Sequence, residues 1–136
     1  MKFHFTRLQL FLTSLLTLLS MSALAEWTKV GGDNDSTCYV DLSTILRKGD
    51  IVTMWDVEDL NTAKSDANGK YMSSIRQSEY DCKEERYRTD SFFNMSEKMG
   101  KGRVVHSSVS KPGEWIAITP DGVAKALWTT ACGKKQ

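Results

Sequence analysis

Trp115-Ile116-Ala117-Ile118-Thr119-Pro120-Asp121-Gly122-Val123-Ala124-Lys125-Ala126-Leu127-Trp128 is where the chain changes its hydrophobic period. Up to Ile118 the apolar residues are β-branched or aromatic and come in short runs, as strands require. Beyond it Val123, Ala126, Leu127 and Ala131 recur at helical spacing. Thr119 offers a capping hydroxyl, Pro120 fits the first helical position and Asp121 suits the positive end of a helix dipole. Gly133 is a natural stop. The pattern predicts one helix from about Pro120 to Ala131.

Upstream, runs of strand-forming residues alternate with Gly, Asn and Asp clusters. Strands are predicted at 26–30, 37–41, 51–58, 71–82, 84–94 and 103–109, with Glu114 to Ile118 before the helix. Asp41-Leu42-Ser43-Thr44-Ile45 reads as a turn or single helical turn, and the polar stretch 61–70 as a loop. Strands followed by one terminal helix predict an α+β domain: a single antiparallel sheet of about five to six strands with a C-terminal helix packed on it.

The N-terminus has the character of an export signal. Lys2 and Arg7 precede an apolar run from Leu8 to Leu19, and Ala23-Leu24-Ala25 supplies small residues for cleavage before Glu26. The run is short for a membrane span, which takes about 20 apolar residues, and no cysteine follows the cleavage point to carry a lipid. Residues 1–25 are thus expected to be a signal peptide and 26–136 the domain. The mature chain would have 111 residues, the size of one domain. Without Lys2 and Arg7 it carries 16 basic against 17 acidic side chains. A net charge near −1 argues against nucleic acid as a partner.

Chemistry-bearing groups are few. The mature chain has one histidine, His106, and no Cys-x-x-Cys, so a thiolate has no evident base or cation to activate it. Asp33-Asn34-Asp35-Ser36 hints at a calcium loop, but the sixth position is Cys38 instead of Gly and the twelfth Thr44 instead of Glu. Asp56, Glu58 and Asp59 could suggest acid–base hydrolysis; a solvated strand face is the plainer reading. No catalytic residue, metal or cofactor is expected. Trp27, Trp55, Trp115 and Trp128 are expected mostly in the core between helix and sheet. Any aromatic on the remaining sheet face would make a protein-binding patch or a dimer interface. The three cysteines, Cys38, Cys82 and Cys132, cannot pair completely, and the residues alone leave every pairing open.

Several pieces together resemble the surface-adhesin protein E family of Gram-negative bacteria. They are Tyr39-Val40-Asp41 with Ile45, Gly49-Asp50-Ile51-Val52-Thr53-Met54-Trp55, Ser73, Tyr80-Asp81-Cys82, Gly102-Arg103-Val104-Val105, Trp115-Ile116-Ala117-Ile118-Thr119-Pro120 and Cys132. The resemblance implies an exported protein, periplasmic or on the outer cell surface, without catalysis. It implies protein partners, either host matrix and serum proteins or envelope proteins, with a homodimer as a second arrangement. It also implies a Cys82–Cys132 disulfide, worth roughly 3–4 kcal/mol for a loop of about 50 residues. Cys38 is then the unpaired thiol. On a strand it shares a face with Val40, so a buried free thiol is expected. Tyr39, Asp41, Trp55, Trp115 and Pro120 are the residues that carry the likeness.

Overall fold

A computed structural model describes residues 25–133, so the segment expected to be a signal peptide lies outside the described residues except for Ala25. The elements are β1 (Thr28–Gly32), β2 (Ser36–Lys48), β3 (Ile51–Asp66), β4 (Gly69–Asp81), β5 (Arg86–Met95), a 3-10 turn (Lys98–Gly100), β6 (Val104–Ser108), β7 (Ile116–Ala117) and α1 (Val123–Gly133). Strands β1 to β6 form an antiparallel meander in chain order, and the two-residue β7 adds to β5 beside β6. The helix lies across one face of this sheet, as expected.

Register fixes which side chains face the helix. Val40 lies opposite Asp56, Val52 opposite Tyr80 and Met54 opposite Ser78. Because side chains alternate along a strand, Cys38, Val40, Val52, Met54, Asp56 and Tyr80 share one face. All six are almost fully buried, and Leu127 and Ala131 of α1 close over the apolar members. Gly31 lets the helix approach: a Cβ there would lie 3.2 Å from Cβ of Ala126. At the C-terminal end, α1 is tied to the sheet by the Cys82–Cys132 disulfide. The Trp128 Nε1–H also donates to the Asp81 carbonyl at 3.0 Å.

Four sequence expectations change. The first strand starts at Thr28 instead of Glu26. The 41–45 segment is an irregularity within the continuous strand β2, between Asp41 and Leu46, and not a helical turn. Asp41 Oδ1 accepts from the amide and hydroxyl of Ser43, the Thr44 hydroxyl donates to the Asp41 carbonyl, and the Trp55 amide donates to Thr44 Oγ1. These local bonds replace the missing ladder bonds. Residues 61–70 are no loop: β3 and β4 continue as a polar ribbon, pairing Lys64 with Tyr71 and Asp66 with Gly69. The helix begins at Val123, not Pro120, because the Thr119 hydroxyl donates to the Asp121 carbonyl and Gly122 takes φ +102°.

Cys38 is a free, buried thiol. Burial raises its pKa from 9.0 to about 11, with the Arg76 charge opposing the shift. A group whose folded pKa exceeds its unfolded value supports the fold below the unfolded value and loses that support as pH rises. Native protein should therefore resist iodoacetamide at pH 8, and its stability should decline between about pH 9 and 11. Mass spectrometry of alkylated native and denatured protein checks the first part. Fast labelling of Cys38 in the native state would contradict it.

Candidate functional site

The face of the sheet away from α1 carries several half-buried aromatic groups. Tyr39 pairs with Val57 and Asp41 with Trp55, which puts Tyr39 and Trp55 on this side. Trp55 stacks on Phe93 across β4, with ring centroids 6.4 Å apart. Arg86 and Arg88 flank Tyr87, so they point away from the helix. Both guanidinium groups lie over the Trp115 ring, at 4.6 and 4.4 Å from its centroid. Cation–π contacts of this kind hold a half-buried indole in place.

The arginines are themselves oriented by carboxylates. Arg88 Nε pairs with Glu79, and Arg86 Nε with Asp81 Oδ2 at 3.0 Å. Burial alone would raise the Asp81 pKa. The amides of Glu84 and Lys83 and the Arg86 guanidinium outweigh burial and hold it below the usual carboxylate value. Beside this row lies a depression of about 270 Å³ lined by Leu46, Ile51, Thr53 and Glu79, and Leu46 is 54% exposed.

One end of the same face is covered. The 3-10 turn folds over Ile75 and Val57, where a Cβ on Gly100 would come within 2.9 Å of Ile75. The Met99 amide donates to Asp59 Oδ1 at 2.7 Å and the Gly100 amide to Ser73 Oγ at 2.8 Å. What remains uncovered is the half with Trp55, Arg88, Trp115 and Leu46.

None of the four tryptophans is fully buried, which corrects the expectation that most fill the core. Trp128 packs against the edge of the core, while Trp55 and Trp115 lie on the outer face. Of the residues that carry the family likeness, Tyr39, Trp55 and Trp115 therefore share this face. Asp41 organises the β2 irregularity and Pro120 is exposed in the segment leading into α1.

Asp56 is a second correction. It is fully buried and does not belong to a solvated face. Arg76 donates to Asp56 Oδ2 from Nε at 3.1 Å and Nη2 at 2.5 Å, and to Glu58 Oε2 from Nη1 at 2.9 Å. Arg76 Nη2 also lies 3.7 Å from Cys38 Sγ. Burial raises the Asp56 pKa, and Arg76 opposes that rise. For Arg76 itself burial disfavours the charge, but Asp56 and Glu58 more than offset it and keep the guanidinium charged. The sequence signal was a parity: Asp56 follows Val52 and Met54 at even spacing, on the face they bury.

Among the described residues, no group of three or more His, Cys, Asp or Glu is placed to hold a metal ion, and no helix is long and apolar enough to cross a membrane. His106 lies 3.4 Å from Asp66 and edge-on to Phe92, away from every cysteine. The chain thus has the form of an α+β domain with one face closed by a helix and the other offering aromatic and arginine side chains.

Residues 27–133 match the surface-adhesin protein E family, and the chain belongs to that family. Its fold is similar to that of solved structures of protein E from Haemophilus influenzae. Crystal form II superposes with a TM-score of 0.55 at 14% identity, covering 82% of this chain and 97% of that one. Protein E from a non-typeable strain gives 0.53 at 15% identity, covering 83% and 82%. At these identities the likeness is one of fold. No curated protein matches the chain.

Proposed function

We propose that this protein is an exported, non-catalytic module that binds other proteins through the uncovered half of its sheet, in the manner of a surface adhesin. The observation that carries the reading is the row Trp55, Arg88 and Trp115 on the half of the outer face that the 3-10 turn leaves uncovered. Tryptophan and arginine are the residues most enriched at interface hot spots. Here their geometry is already held by Phe93, Glu79 and each other, so little side-chain freedom is lost on binding. Family membership supports a partner among host matrix or serum proteins, with the molecule on the outer surface after removal of residues 1–25.

Immobilised laminin and vitronectin, probed with the purified mature domain, test this. Saturable binding above an albumin control is the expected result. No enrichment on either protein, with the domain found only in the periplasm on fractionation, would overturn it and leave an accessory role within the envelope.

A further inference from the structure

Arg47 sits at the end of the sheet where α1 finishes. It pairs with Val52, a core residue on the helix side, so its own side chain points to that side. There the guanidinium meets the Cys82–Cys132 bridge. Arg47 Nη2 lies 3.7 Å from Cys82 Sγ and donates to the Cys132 carbonyl at 3.3 Å, while Nη1 donates to the Gly49 carbonyl at 3.2 Å. Its Nε is buried without a partner. The cation is thus partly withdrawn from water, and its charge acts more strongly on what lies beside it.

This contact makes the two sulfurs unequal. A thiolate at Cys82 would face the Arg47 charge, which stabilises it. Cys132 lies in the last turn of α1, at the negative end of the helix dipole, which disfavours a thiolate there. The other charged groups do not reverse this. The Asp81 carboxylate is engaged by Arg86 and by the amides of Lys83 and Glu84, and the side chains of Asp50, Lys83 and Glu84 are exposed to solvent that screens them. In thiol–disulfide exchange the sulfur better able to hold the negative charge leaves faster. Both effects make Cys82 the leaving group and direct attack to Cys132. Unlike the enclosed Cys38, both bridged cysteines are only half-buried.

We infer that the Cys82–Cys132 bridge is a directional exchange site for small external thiols, with Cys132 taking the adduct and Arg47 as the positioning residue. A thiolate RS⁻ attacks Cys132 Sγ and forms a Cys132–S–S–R bond. The bond to Cys82 breaks, and the Cys82 sulfur leaves with the electron pair as a thiolate beside Arg47. The attacking sulfur is oxidised, the Cys82 sulfur is reduced, and the proton lost by RSH goes to solvent. Arg47 Nη2 then turns from the Cys132 carbonyl to the new charge. The last turn of α1 is left held by the Trp128 bond to the Asp81 carbonyl.

Native mature protein is incubated with reduced glutathione and iodoacetamide together, so that the freed thiolate is alkylated before the bridge re-closes, and tryptic peptides are mapped by mass spectrometry. The expected product carries glutathione on Cys132 and the alkyl group on Cys82, in about tenfold excess over the mirror product, as leaving-group control requires. Its rate of formation should rise with glutathione concentration. Arg47→Met should lose most of the excess, and Arg47→Lys, which keeps the charge, should retain it. The wild-type ratio needs no variant, so the inference stays open to refutation even where Arg47→Met fails to fold. The mirror product in equal or greater amount, an unchanged ratio in folded Arg47→Met, or a rate independent of glutathione, set by opening of the whole domain, would each overturn the inference.

Discussion

Replacing Arg76 by Met lowers the stability of the domain by about 3–5 kcal/mol at pH 7, the cost of leaving one member of a buried pair uncompensated. Asp56 is wholly enclosed, and Arg76 supplies every hydrogen bond to its Oδ2. Domains of this size have only about 5–15 kcal/mol in total, so the variant sits near the edge of folding. Its remaining stability should rise as pH falls. Burial places the Asp56 pKa above its unfolded value, and without Arg76 nothing opposes that rise. A raised acid supports the fold below its unfolded pKa and loses that support as pH climbs through the folded one. The double change Asp56→Leu with Arg76→Met removes both charges and should recover most of the loss. Urea denaturation midpoints at pH 5 and 7 check all three statements. A loss below about 1 kcal/mol in the single variant would show that the pair is not the buried element described.

The second large effect is expected at the disulfide. Cys82→Ala with Cys132→Ala opens a bridge spanning 50 residues and should cost about 3–4 kcal/mol in the chain-entropy account. The loss should be local first, because the bridge pins the C-terminal turn of α1. The neighbouring contacts there are the Arg47 Nη2–H bond to the Cys132 carbonyl at 3.3 Å and the Trp128–Asp81 bond at 3.0 Å. Hydrogen exchange in the double variant should therefore rise in α1 before it rises in β3 or β4. Uniformly increased exchange would instead mean that helix and sheet open as one unit.

The order of strands, the terminal helix and the packed face were legible because period and parity report which side of an element is buried. Val52 and Met54 alternate on β3 and Leu127 and Ala131 recur on α1, and the structure joins these sets in one core. Parity also carries the clue to Asp56, but a lone carboxylate gives no sign of its partner: Arg76 lies 20 residues away in sequence. The ribbon at the end of β3 and β4 was hidden for a different reason. Lys64, Ser65 and Lys70 project beyond the core and need no apolar face, so composition made them look like a loop. The tryptophans misled because size suggests burial, whereas Trp115 is held by two guanidinium groups on the surface, a contact that no spacing rule reveals. The helix start shifted because the hydroxyl of Thr119 closes a local turn on Asp121 instead of capping α1.

The uncovered face makes the interaction claim direct to test. Binding of the mature domain to immobilised laminin and vitronectin is compared for wild type, Trp115→Ala, Arg88→Ala and a control on the helix side, Lys125→Ala. Trp115→Ala and Arg88→Ala should each weaken binding by tenfold or more, about 1.4 kcal/mol or above, while Lys125→Ala should leave it unchanged. Equal binding by all four proteins would contradict it, because the contact surface would then lie elsewhere than on the face that carries Trp55, Arg88 and Trp115.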